Sequence, residues 1–432
     1  MTRYTRNGAV ASLALVIACV GGMPSAHARQ GAGHVKPGIT VLLADSAALI
    51  DGKRVGLLTN QSGVNEKGVS DIDLISSRQK ARGASGPTLT ALFSPEHGIR
   101  GTEDRTNLAS GRDARSGVPI YSLYGATALA PPDSALHTID VLVIDLQDLG
   151  ARPWTYVASM VYAMRAAAQQ HLPVVVLDRP NPITGAHVEG AVLDSSFAYA
   201  GTHSSSRAAT PTALYPIPMR HGLTMGELAR FYNDVLALHA QLHVVPAEGW
   251  RRGDWFDQTG LPWIKPSPNM PNLKSAELYP AIVVLEATNV SVGRGTSEAF
   301  QHIGAPWLDT RKVLDLLKDR TLPGVEFEEE RFTPDHPGDE KYGGVSVHGI
   351  HIIVTDRDRL QTARLSADLL WAIEKANGDS LRFQDKGFNQ LFGIKGGRQA
   401  IVSGADPDSL IDKSLPATIA FEQATRRYRL YK

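Results

Sequence analysis

Five apolar runs, each closed by polar residues, constrain this chain more than anything else in it. They are Val55-Gly56-Leu57-Leu58-Thr59-Asn60, Leu89 to Glu96, Val141 to Asp145, Val174 to Asp178, and Ile282 to Glu286. Stretches of helical periodicity lie between them, a pattern that predicts βαβ units and a mostly parallel sheet. In an open sheet of that kind, ligands bind outside the carboxyl ends of the strands. The acids and amides that close the runs are therefore the first candidates for a site.

Val157 to Gln170 reads as a helix with Val157, Met160, Val161 and Met164 on one face. Thr224-Met225-Gly226-Glu227 is a capping box ahead of a helix from Leu228 to Leu238. Leu242 to Pro246 supplies a sixth strand, and Gly253 to Pro280 reads as a long loop rich in proline and aromatic residues, the kind that serves as a functional loop or lid. After Gly304 the texture changes to a helix at Asp309 to Lys318 and strands at Val325 to Phe332 and Val345 to Thr355. Helical segments follow at Leu360 to Lys375, Ser380 to Phe392 and Ser409 to Arg427. The expected architecture is α/β: a doubly wound, mostly parallel sheet over 29–303, with a second, smaller α+β domain over 304–432.

Residues 1–28 stand apart. Arg3 and Arg6 precede an apolar run from Ala9 to Val20, and Ala26-His27-Ala28 makes a cleavage site, so the segment reads as a secretory signal and the protein as secreted or periplasmic. A second reading makes Cys19 a lipid attachment point, but the well-formed downstream site favours the first. Cys19 is the only cysteine, so its removal excludes disulfides, thiol nucleophiles and cysteine-ligated zinc. Lys+Arg and Asp+Glu balance at 44 each, which argues against nucleic acid as a partner. No other apolar run is long enough to span a bilayer.

Common catalytic signatures are missing. No G-x-G-x-x-G follows the first strand, and there is no Walker loop, no G-x-S-x-G elbow and no H-E-x-x-H. The expectation is an enzyme with no cofactor and no metal.

Four clusters carry chemistry instead. In Ser94-Pro95-Glu96-His97-Gly98-Ile99-Arg100, a glutamate follows a buried strand beside Phe93. A carboxyl enclosed by apolar groups holds its proton and can act as a general acid, and pairing with Arg100 is the plain structural alternative. Asp145-Leu146-Gln147-Asp148 with Arg152, Trp154 and Tyr156 combines carboxylates, a guanidinium and aromatic faces, a mixture that suits a polar ring-shaped ligand. The same acids could instead brace Arg152. Asp178-Arg179-Pro180-Asn181-Pro182 is a rigid turn whose Asp178 and Asn181 either bind hydroxyls or hold the turn together. Asn269 lies in Pro266-Ser267-Pro268-Asn269-Met270-Pro271, and Glu286 and Asn289 lead to Gly293-Arg294-Gly295. An arginine between two glycines can meet an anion closely, with backbone amides as well as its own fork, or it can be a structural arginine bridging the two domains.

These motifs, together with Leu57 to Gly63, Leu92 to Gly101 and Leu177 to Pro182, resemble those of the exo-β-N-acetylmuramidases, glycosidases of peptidoglycan formerly grouped as a domain of unknown function. The likeness runs through nearly all of the chain after the signal, including Phe332 to Asp356 and Tyr428 to Tyr431. It implies a Rossmann-like first domain with the site in a cleft against the second. It also implies release of N-acetylmuramic acid from non-reducing ends of peptidoglycan fragments, with Glu96 and Tyr156 as the catalytic pair. Asn60, His97, Arg100, Asp145, Asp148, Arg152, Asp178, Asn181, Asn269, Glu286, Asn289 and Arg294 are the expected substrate contacts.

β-Glycoside cleavage needs a proton on the leaving oxygen and support for an oxocarbenium-like centre. Glu96 is the expected donor. The second role is open between the substrate acetamido group, Tyr156, Asp145 and Asp148. The lactyl carboxylate of muramic acid calls for a cation, with Arg294, Arg152 and Arg100 as candidates. Two rival classes are a non-catalytic muropeptide receptor and a metal-dependent hydrolase built on Asp145, Asp148 and Asp178.

Overall fold

The computed structural model describes residues 34–101, 110–124, 129–198 and 211–432. The signal segment with Cys19 lies outside the described residues.

Seven strands form the first sheet: β1 (Arg54–Thr59), β2 (Thr88–Ser94), β3 (Gly111–Arg112), β4 (Pro119–Ser122), β5 (Val141–Asp145), β6 (Val174–Leu177) and β7 (Leu242–Val245), in the order β3-β4-β2-β1-β5-β6-β7. Every pairing is parallel except β3 with β4. Crossover helices Asp71–Arg82, Tyr156–Gln169 and Met225–Val235 connect β1 to β2, β5 to β6 and β6 to β7. Because β1 lies between β2 and β5, crossovers on its two sides leave in opposite directions, and a crevice opens there at the carboxyl edge.

Side chains alternate across the strands. Leu57, Val143, Val175 and Leu177 face Ile39, Ile72 and Ile75. Leu58, Phe93, Leu142, Ile144 and Val176 face Met160, Val161 and Leu228 in a core that continues without a break into the second domain. That domain has an antiparallel sheet of β8 (His302–Ala305), β10 (Val347–Val354) and β9 (Val325–Phe332) in that order, packed with helices Thr310–Lys318 and Thr362–Asn377. β8 spans the 303/304 position where the texture of the sequence changes.

One expected strand is absent. Ile282 to Glu286 is the end of a helix, Leu273–Ile282, running into a 3-10 turn, Val283–Ala287. The whole stretch from Ser275 to Leu285 is buried, and from Leu278 onward it carries no charged residue to mark a period. A short apolar run without a period does not distinguish strand from helix. The same helix shortens the expected loop, whose irregular part ends at Asn272, the residue that caps it.

Candidate active site

Asn60 follows β1, Glu96 follows β2, and Asp145 closes β5. These strands are neighbours, so the three residues lie along one edge of the sheet. Glu96 is part-buried, less enclosed than its neighbour Phe93 led us to expect, and its carboxylate accepts a hydrogen bond from the Thr155 hydroxyl. Thr155 is the N-cap position of the helix after β5, and Tyr156 is that helix's first residue. The Tyr156 ring is 1% exposed, and its hydroxyl donates to the Pro266 carbonyl of the long loop. Burial lifts the phenol pKa well above its usual value, and the nearby Glu96 charge adds to this while Asn60 opposes it. Glu96, Tyr156 and Asn60 thus lie together at the carboxyl edge of the sheet. Asn60 Oδ1 accepts from the Ser62 amide at 2.9 Å and hydroxyl at 2.6 Å, while its buried Nδ2 meets no acceptor at hydrogen-bond geometry.

A buried wall beside Tyr156 continues into the segment that joins the two sheets. Trp154 stands edge-on to Tyr156 at 5.3 Å and to Tyr279 of Leu273–Ile282 at 5.7 Å. Burial raises the Tyr279 phenol pKa, Glu286, Glu96 and Asp148 raise it further, and Arg294 lowers it. Glu286 and Arg294 form an ion pair 2.6 Å apart near Tyr279. The Lys341 ammonium, its pKa lowered by burial, caps this wall by donating to the carbonyls of Glu286 at 2.9 Å and Val290 at 3.0 Å.

Other candidates have their polar atoms committed elsewhere. Asp145 forms a bidentate pair with Arg179, beside an Asp71 whose pKa burial and Asp145 push well up. Asp148 accepts from the Gly150 amide at 2.7 Å and lies 3.4 Å from His221. Asp178 accepts from Thr224, the Gly226 amide and Tyr431, each at 2.7 Å. Asn181 bonds the Leu223 carbonyl at 2.9 Å and the Ile183 amide at 3.1 Å. Arg152 donates to the carbonyls of Ala191 and Ile217, both at 3.1 Å, and of Gln390 and Leu391 at 3.3 and 2.6 Å. Arg100 is exposed and pairs with Asp113 at 2.5 Å. Asn289 ties its side chain to the Ser380 carbonyl and the Arg382 amide. Buried His97 occupies the turn after Glu96 at a positive φ of 68°, and Asn269 lies in the Pro266 loop, its amide on Ser267.

Sequence reasoning passed over Thr155, Tyr279 and Lys341. Thr155 lay inside a quoted motif and could have been found. Tyr279 sits within an apolar helix and reads as core, and nothing around Lys341 signals its place.

Fold and site together define a two-domain α/β protein with a part-exposed acid at the carboxyl edge of its parallel sheet. Residues 55–274 match the family description "Exo-beta-N-acetylmuramidase NamZ, N-terminal", and residues 277–431 match its C-terminal counterpart. The peptidoglycan beta-N-acetylmuramidase NamZ of Bacillus subtilis (strain 168) is 37% identical over 399 residues, covering 92% of this chain and 91% of that protein. A DUF1343 family protein from Bacteroides fragilis superposes with a TM-score of 0.81 at 32% identity, over 92% of this chain and 99% of the other. A second from the same organism gives 0.70 at 28%, over 93% and 99%. The chain belongs to the exo-β-N-acetylmuramidase family and is a glycosidase.

Proposed function

We propose that this enzyme removes terminal N-acetylmuramic acid from the non-reducing ends of peptidoglycan fragments, with Glu96 as the proton donor. One observation carries the reading: Glu96 is part-exposed at the carboxyl edge and anchored by Thr155 beside Tyr156, while Asp145, Asp148 and Asp178 are 0%, 2% and 0% exposed and the part-exposed Glu286 is paired with Arg294. A proton donor must reach the glycosidic oxygen, and only a solvent-facing carboxyl can do so.

The second role follows by the same reasoning. Asp145 is engaged by Arg179, Asp148 by the Gly150 amide, and the Tyr156 phenol is held neutral and donates to Pro266. The substrate's own acetamido oxygen is then the group that supports the anomeric centre, one of the known departures from the two-carboxylate arrangement. Arg294 meets the lactyl carboxylate that distinguishes muramic acid from glucosamine. Residues 1–28 direct the protein out of the cytoplasm and are removed, which N-terminal sequencing of the exported protein checks.

The test is a chromogenic N-acetylmuramide beside its N-acetylglucosamine counterpart. We expect turnover of the first, and a loss of about 10²-fold or more in Glu96→Gln, the scale of general acid catalysis. Near-native activity in that variant removes Glu96 from the mechanism, and binding without turnover by the native protein would instead make it a receptor.

A further inference from the structure

We infer that His302 and Thr296 are positioning residues that hold the Arg294 turn where its guanidinium meets the lactyl carboxylate. The inference rests on the muramidase reading above.

Arg294 lies between Gly293 and Gly295, at φ of 75° and 81°. Both glycines are needed because the second domain presses on the turn from two sides. A Cβ on Gly293 would stand 2.2 Å from Cδ2 of His302 on β8, and one on Gly295 would stand 2.5 Å from the Asp335 carbonyl oxygen beyond β9. Close packing thus explains the pair of glycines that the sequence suggested were there to admit an anion.

The turn is then fixed by hydrogen bonds. The Thr296 hydroxyl donates to the Gly293 carbonyl at 2.8 Å and accepts from the Glu298 amide at 3.1 Å. It also lies 3.0 Å from Nε2 of His302. With the hydroxyl proton already on Gly293, the ring nitrogen must be the donor, which sets the Nε2–H tautomer. The ring cannot turn away, because it is 3% exposed and stacked on Phe332 at 3.9 Å and 7°. Nδ1 faces the Glu330 carboxyl at 2.7 Å. Burial and the neighbouring His351 hold the imidazole pKa down to about 4, so near neutrality it acts as a directional donor, not a charge. Nδ1 and the Glu330 carboxyl do not meet at hydrogen-bond geometry, so the ring's directed contact is the one to Thr296. The chain of contacts runs from β9 through His302 and Thr296 to the backbone at Arg294, whose Nε in turn donates to Glu286 at 2.6 Å.

The decisive comparison uses a chromogenic N-acetylmuramide and the same glycoside with its lactyl carboxylate capped as the amide. Thr296→Val removes the hydroxyl, His302→Phe keeps the stacking and removes the donor, and Thr296→Ser restores the hydroxyl. We expect the first two to raise KM for the free acid by about tenfold, the worth of one hydrogen-bonded link to a charged group. They should lower kcat far less and leave kcat/KM for the amide near native, and Thr296→Ser should behave as native on both substrates. Equal losses on both substrates would reduce the pair to a structural role and overturn the inference, as would native behaviour in Thr296→Val and His302→Phe. Arg294→Ala separates the two layers. If it erases the preference for the free acid while Thr296→Val does not, only the positioning claim fails; if it leaves the preference intact, the Arg294 reading fails first. Should Thr296→Val not fold, His302→Phe against Thr296→Ser decides.

Discussion

Solvent access separates acids that look equivalent in the sequence. Glu96, Asp145 and Asp178 each close a strand, yet only Glu96 faces the crevice, while Asp145 sits against Arg179 and Asp178 under a helix cap. The motif showed that these side chains share an edge. It could not show which of them the backbone uses, because partners such as the Gly226 amide lie 48 residues away. Tyr156 poses the same question, since its buried hydroxyl bonds the Pro266 carbonyl and anchors the long loop. Tyr156→Phe orphans that carbonyl at a cost of about 1 to 3 kcal/mol. We expect faster amide hydrogen exchange across residues 264–270 and turnover lowered by about tenfold, the equivalent of the lower end of that cost. A loss as deep as that of Glu96→Gln would place the hydroxyl in the chemistry itself.

Elements were legible where a period or a cap announced them. Met225–Val235 carries the capping box expected at Thr224 and Glu227, and β9 and β10 fall inside the expected runs. Ile282 to Glu286 gave no period, and tertiary burial on every side made it helical. The cap of Met225–Val235 is tied down by Asp178, and this has a pH signature. Burial lifts the Asp178 pKa to about 6, above the roughly 4 of an unfolded chain. The folded protein therefore binds this proton more tightly. Its contribution is fully present below about pH 4 and is lost as the pH rises to about 6, a change of about 2 to 3 kcal/mol at most. Asp178→Asn should flatten that part of the decline in urea midpoints between pH 4 and 6. Asp368, whose pKa burial also lifts to about 6, leaves a residual slope. An unchanged profile in the variant would mean that Asp178 stays charged across the window.

At the scale of the molecule, Glu96 stands on the first sheet and Arg294 is held by the second, so the docking of the two domains sets the separation a sugar must span. Two fasteners maintain it at a distance from the crevice. The end of the chain returns to the first domain, where Tyr431 donates to Asp178 and the Leu430 amide donates to Glu227, both side chains being fully buried. Arg152, from the first domain, reaches Gln390 and Leu391 of the second with one nitrogen and Ala191 and Ile217 of its own with the other. Burial lowers its pKa to about 10, so it stays charged near neutrality with four carbonyls as its solvent. Arg152→Met keeps much of the volume and leaves those carbonyls without a donor, at a cost of about 1 to 3 kcal/mol for each that water cannot reach. Calorimetry should show the native single transition divide, with the 277–431 segment melting first. Arg152→Lys should rescue little, because an ammonium is a point charge that cannot span carbonyls set apart for a planar fork. An undivided transition at the native temperature in Arg152→Met would show that the shared apolar core alone holds the domains together.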